Sequence, residues 1–303
     1  MTNRIETAFQ RLRGEKRKGF IPYICAGDPS LSRTIDLSLA LAQAGSDVLE
    51  LGLPFSDPLA DGIVNQLAAQ RALAAGATVR GVLDCVRNIR KKSEIPIVLY
   101  TYVNPIFQFG LEQFYAEAET AGVDGLLILD LPPEEDIAEP VEPEPLLQRE
   151  AIGAKVPTEG ARRGELIDPI ARPSGAKRVG PGSTNLIHIR LIAPTTTPER
   201  IVQVVKDARG FLYYVSREGV TGAREKIASS LGEKVAQLRQ LSALPVAVGF
   251  GISNPEQARE VAQHADAVVV GSAIVSEIAA HGAEADLVER IISTVKPLID
   301  AVK

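Results

Sequence analysis

At 303 residues the chain has the length of one large barrel or of two small domains, and its 45% apolar content is enough for a sizeable core. A net charge of −5 argues against a nucleic-acid partner, no apolar run reaches the ~18 residues of a membrane span, and the charged start Met1-Thr-Asn-Arg-Ile-Glu6 lacks a signal-peptide core. Two cysteines make no disulfide framework and point to the reducing cytoplasm, and with three unclustered histidines they leave little material for a metal site.

Ile5, Phe9 and Leu12 fall at i, i+4 and i+7, which predicts a helix ahead of the first strand. Short apolar runs then follow at 19–26, 47–52, 96–100, 125–130, 186–193, 210–216, 245–249 and 265–271. Each is nearly continuous, as expected of parallel strands buried on both faces. Helical periodicity separates them, for example at 31–44, 63–75, 111–121, 229–241 and 255–264. Eight strand–helix repeats predict an α/β fold, a (β/α)8 TIM barrel whose floor the first helix covers. An open doubly wound sheet is the runner-up. A GxGxxG turn after the first strand would favour it, and Cys25-Ala-Gly-Asp28-Pro29 is not one.

The pattern breaks at 137–185, between strands four and five. This stretch holds seven of the 20 prolines and six of the 25 glycines, and no aromatic residue. Its best helical candidates are 144–154 and 164–171. The expectation is a flexible insertion within a single barrel domain spanning 1–303.

In such barrels the active site forms where the strands end. No lysine or histidine stands at a predicted end, which argues against Schiff-base chemistry and a histidine-held metal. The titratable groups there are Asp28, Glu50, Asp57, Asp61 and Asp130, so the chemistry expected is carboxylate acid/base work. Glu50 lies inside an apolar strand, as a raised-pKa acid or as a structural carboxylate. Asp61 precedes Gly62 as a reacting group or as the cap of helix 63–75. Asp57-Pro58 suits a turn, and Asp28-Pro29 is expected to cap the helix from Leu31. His188 is read as structural, and His264 and His281 as exposed helical residues. Gly249-Phe250-Gly251 after strand seven and Gly271-Ser272 after strand eight suit an anion held by backbone N–H groups. Ser216-Arg-Glu-Gly-Val-Thr221-Gly222 after strand six reads as a hinged loop able to close over the site.

The run Glu50-Leu-Gly-Leu-Pro-Phe-Ser-Asp57-Pro-Leu-Ala-Asp61-Gly62 resembles the signature of the tryptophan synthase alpha subunit family, and the likeness extends over 1–136 and 186–303. The resemblance implies a retro-aldol cleavage of indole-3-glycerol phosphate to indole and glyceraldehyde 3-phosphate, without a cofactor. It implies that Glu50 is the general acid/base, that Asp61 binds the indole nitrogen, and that Tyr213 joins them. Thr221, Gly222, Gly249, Gly251, Gly271 and Ser272 would bind the phosphate, with Phe250 walling the pocket. Tyr23 and Tyr102 match pocket or interface aromatics, and Asp57, Asn104 and Asp130 lie in segments that resemble pocket or partner-facing ones. The implied partner is a beta subunit, in an alpha2beta2 complex. The alternatives are a non-catalytic barrel that mainly activates a beta subunit and a free-standing lyase of the same chemistry. A phosphosugar isomerase would want a histidine or lysine electrophile.

Overall fold

The computed structural model describes residues 2–132, 185–215, 224–249 and 251–303. The expected insertion, up to residue 184, and the expected hinged loop at 216–223 lie outside the described residues, as does Phe250.

The described strands are β1 (Gly19–Cys25), β2 (Leu49–Gly52), β3 (Ile97–Thr101), β4 (Gly125–Ile128), β5 (Ile187–His188), β6 (Arg190–Ile192), β7 (Leu212–Val215), β8 (Val246–Gly249) and β9 (Ala267–Val270). The described helices are α1 (Arg4–Glu15), α2 (Leu31–Ala44), α3 (Ile63–Ala74), α4 (Val79–Arg90), α5 (Val103–Phe109), α6 (Leu111–Ala121), α7 (Pro198–Val205), α8 (Arg224–Leu241), α9 (Pro255–His264), α10 (Ser272–His281) and α11 (Leu287–Val302). The strands form one sheet in the order β5-β4-β3-β2-β1-β9-β8-β7-β6, with every pair parallel. Its two edges, β5 and β6, are consecutive in the chain, so the sheet closes on itself. This is the expected (β/α)8 barrel. The predicted fifth strand is divided because its two ends serve different ladders: Ile187 and His188 pair with β4, while residues 190–192 pair with β7.

The N-terminal helix does cover the floor. Asn3 caps α1 by accepting from the Ile5 N–H. Its amide also donates to the carbonyls of Asp124 and Asn185, tying the helix to the strand starts. Ile5, Phe9 and Leu12 then pack on the inward side chains Ile21, Val48, Val98, Leu127 and Phe211. Phe9 and Phe211 lie 5.3 Å apart, ring to ring. The second core layer lies outside the strands, where Phe20, Ile24, Leu49, Leu51 and Leu99 meet the helices. Strands buried on both faces explain the unbroken apolar runs of the sequence.

Asp28 does not cap α2. Ser30 takes that place, its Oγ accepting from the Arg33 N–H, and Asp28 instead receives both Nε and Nη2 of Arg71, at 2.9 and 2.7 Å. The arginine's planar fork outcompetes a local turn for a carboxylate this deeply buried. His188 is structural as expected, its ring stacked on Tyr115 with Nε2 2.9 Å from the tyrosine hydroxyl. His264 and His281 are half-buried rather than exposed; His281 holds Glu284 at 2.8 Å.

Candidate active site

Side chains two apart on a strand share a face. Continuing each inward row past the floor layer brings Tyr23, Glu50, Tyr100, Leu129, Leu191, Tyr213, Gly249, Val269 and Gly271 to the C-terminal mouth. They line a cavity of about 770 Å³, completed by Asp61 and Asn65 from the loop and helix after β2, by Thr195, and by Gly251 and Ser272. Register fixes the neighbours: Tyr23 lies beside Glu50, and Gly52 beside Tyr100. A second depression, of about 440 Å³, lies at the opposite end between α1 and the loops at Asp47 and Glu94. It holds none of the predicted site residues.

Glu50 is 2% exposed. Among the described residues no group donates a hydrogen bond to its carboxyl. Burial, with the Asp61 charge adding to it, raises its pKa to about 8. Asp61 is in a different situation, although burial pushes its pKa up too. Tyr100 donates to Oδ1 at 2.7 Å and Tyr102 to Oδ2 at 2.8 Å. The Asn65 side chain adds a third hydrogen bond, and all three favour the ionised form. Asn65 Oδ1 is buried and has no partner among the described residues. Asp61 is not a helix cap, because Gly62 occupies that position and the aspartate side chain is taken by the tyrosines.

Burial first, with the Asp61 carboxylate in all three cases and Glu50 at Tyr23 and Tyr213, raises the pKa of Tyr23, Tyr100 and Tyr213 well above the usual phenol value, so each keeps its hydroxyl proton. The glycines opposite make room for two of these rings. A Cβ on Gly249 would stand 2.7 Å from Tyr213 Oη, and one on Gly271 3.3 Å from Tyr23 Cδ1. Gly251 differs: its φ is +62° and, among the described residues, nothing lies within 4 Å of a Cβ there, so its backbone faces space they leave open. Gly271 and Ser272 begin α10, whose first N–H groups give that end of the cavity a positive potential.

Of the predicted site residues, the cavity unites Glu50, Asp61, Tyr213, Tyr23, Gly249, Gly251, Gly271 and Ser272. Tyr102 lies behind Asp61, buried, with its hydroxyl also accepting from the Ala60 N–H. Asp57, Asn104 and Asp130 are exposed on the rim outside the cavity. Asp57 holds the Ser56 hydroxyl, and Asp130 accepts from the Val103 N–H at the start of α5. Thr221, Gly222 and Phe250 lie outside the described residues. The sequence reading assigned no role to Tyr100, Asn65 or Thr195. Tyr100 was accessible from strand periodicity, two residues beyond inward-facing Val98, and Asn65 from helical spacing, four beyond Asp61.

A closed parallel barrel that holds a buried glutamate and a hydrogen-bonded aspartate on one cavity at its C-terminal mouth defines a TIM-barrel enzyme with a carboxylate-lined candidate site. The comparisons identify the branch. The family model described as tryptophan synthase alpha chain matches residues 9–143 and 181–303. A tryptophan synthase alpha chain from Opitutus terrae is 46% identical over 90% of this chain and 89% of its own length. Among solved structures, tryptophan synthase subunit alpha from Legionella pneumophila superposes with a TM-score of 0.78 at 33% identity, covering 100% of this chain and 99% of the other. A chain of tryptophan synthase from M. tuberculosis does so at 0.76 and 28% identity, covering 99% of each. The chain belongs to the tryptophan synthase alpha chain family.

Proposed function

We propose that this chain cleaves indole-3-glycerol phosphate to indole and glyceraldehyde 3-phosphate, with Glu50 and Asp61 in separate roles. The observation that carries the reading is the contrast between the two carboxyl groups on one cavity. Glu50, with no donor among the described residues and with a pKa raised to about 8, holds its proton at neutral pH. Asp61, with tyrosine hydroxyls on both oxygens, is set up to stay ionised. Environments that push two acids apart assign them separate tasks.

In the proposed sequence Glu50 gives its proton to C3 of the indole ring, which makes the ring a cationic electron sink. Asp61 accepts the ring N–H and stabilises that positive charge. Glu50, now a carboxylate, takes the proton from the hydroxyl on the carbon attached to C3. The bond between that carbon and C3 breaks, its electrons return to the ring, and the hydroxyl carbon leaves as the aldehyde. Tyr213 and Tyr23 present hydroxyls to the same space. The phosphate is assigned to Gly249, Gly251, Gly271 and Ser272, at the start of α10. Thr221, Gly222 and Phe250 have the same assignment by family resemblance.

The proposed partner is a tryptophan synthase beta subunit in an alpha2beta2 assembly. Leu59 is 88% exposed in the loop that carries the rim residue Asp57, Ile63 is exposed at the start of α3 just beyond it, and Phe107 is exposed on α5 with the rim residue Asn104. Apolar side chains left in water at one rim suit a protein partner. The proposed compartment is the cytoplasm, supported by the free thiols of Cys25 and Cys85. Among the described residues no helix is long and apolar enough to cross a membrane.

The test is indole release from indole-3-glycerol phosphate, by the chain alone and with a beta subunit. Release is expected in both, faster with the partner. Stimulation of the beta subunit without any indole release would favour the non-catalytic reading, and no release under either condition would overturn the lyase. Glycerol phosphate is expected to compete with substrate, and Gly251→Val to raise KM, because the new side chain fills the open space beside the backbone. Absence of competition at high concentration would remove the phosphate assignment.

A further inference from the structure

We propose that Tyr100 is a positioning residue for this reaction, its hydroxyl holding the Asp61 carboxylate in the orientation that receives the substrate's ring nitrogen. The inference rests on the reading of Asp61 given above. Asp61 belongs to a loop. Its backbone is tied by its N–H to the Pro58 carbonyl and by its carbonyl to the Gln66 side chain, which leaves the carboxylate free to turn. Two hydroxyls remove that freedom, and they are not equivalent. Tyr102 is held on both sides, accepting from the Ala60 N–H and donating to Oδ2, and so belongs to the loop's own scaffold. Tyr100 stands on β3, between β2 and β4 in the sheet, and lines the cavity itself. Asp61 Oδ1, at 2.7 Å, is its hydroxyl's hydrogen-bond partner among the described residues. Its ring is braced edge-on against Tyr23, with centroids 5.2 Å apart. A donor on a rigid strand therefore fixes one oxygen while a donor on the loop side fixes the other. Its three hydrogen bonds still leave the Asp61 carboxylate a further lone pair for a ligand.

The same bond governs the charge on Asp61. Among the described residues the groups facing it are Tyr23 and Cys25 of β1, Glu50 of β2, Tyr100 of β3, Tyr102 ahead of α5, Asn65 of α3 and Tyr213 of β7. None is a cation. What opposes burial is hydrogen bonding from Tyr100, Tyr102 and Asn65. Removing the Tyr100 hydroxyl leaves burial less opposed, so Asp61 binds its proton more readily.

Tyr100→Phe tests this, since the ring stays packed on Tyr23 and only the hydroxyl is lost. The expected result is a fall in kcat of about tenfold or more with KM nearly unchanged, because a misaimed group costs rate rather than binding. The acid limb of the pH–rate profile should move up by roughly half a unit or more. Carbon-13 labelling of the aspartates supplies a reading that needs no turnover. The Asp61 carboxyl resonance, assigned by its loss in Asp61→Asn, should titrate at higher pH in the variant. An unchanged kcat with an unchanged Asp61 titration would overturn the proposal, as would a loss confined to KM. If the unsubstituted chain released no indole, the lyase reading would fall separately, and the Asp61 titration would still decide whether Tyr100 controls this carboxylate.

Discussion

Glu50→Gln is expected to lower indole release by about 10²–10⁴-fold, the range for loss of a general acid/base, and to make the folded chain more stable towards alkaline pH. Gln fills the same volume but exchanges no proton. The stability effect follows from where the proton sits. In the unfolded chain Glu50 ionises near its ordinary value of 4.5, and in the folded chain near 8. Between those values the folded state holds a proton that the unfolded state has released, so stability is greatest below 4.5 and falls as pH rises towards 8. At about 1.4 kcal/mol per pKa unit the loss amounts to a few kcal/mol. Gln removes this slope. The difference in Tm between variant and unsubstituted chain should therefore grow from pH 5 to pH 8. Activity of the unsubstituted chain should decline above about pH 8, where the acid has lost its proton. Turnover at half the unsubstituted rate would remove Glu50 from the mechanism, and a Tm difference independent of pH would mean that the carboxyl is not held protonated by the fold.

The fold was legible because its signal is physical and repeated. A strand buried on both faces has to be apolar along its length, and Ile97–Thr101 or Ala267–Val270 could be little else. The site was legible where a residue departs from that rule, as Glu50 does inside Leu49–Gly52. What periodicity cannot supply is the path of a loop. Tyr100 and Tyr102 look alike in the sequence, yet β3 ends at Thr101, and the turn into α5 sends one hydroxyl to Asp61 from the cavity wall and the other from behind. Asp28 misled for the same reason. Its position before Pro29 suits a cap, and its partner Arg71 lies 43 positions away in the chain. Gly249 and Gly271 were read as space for an anion, and what the structure shows at them is a close approach of Tyr213 and Tyr23 to where a side chain would begin. Asp57, Asn104 and Asp130 sit among motif residues in sequence but outside the cavity in space.

Asp61→Asn is expected to leave the fold intact and to lower kcat by about 10²–10³-fold, comparable with removing a group that stabilises transition-state charge. The amide fits the existing hydrogen bonds in only one way. Tyr102 already accepts from the Ala60 N–H and must donate onward, so the amide oxygen takes its side. The NH₂ then faces Tyr100, whose hydroxyl turns to accept. Geometry survives, but the negative charge opposite the ring nitrogen is gone, and a neutral amide does little for a cationic ring. The substitution also reaches Glu50. The Asp61 charge is one of the two influences that raise the Glu50 pKa, so removing it lowers that value and moves the alkaline limb of the residual activity to lower pH. The measurement is kcat and KM across the pH range for both chains. A loss confined to KM would make Asp61 a binding group alone, and an unmoved alkaline limb would mean that the two carboxyl groups do not sense each other across the cavity.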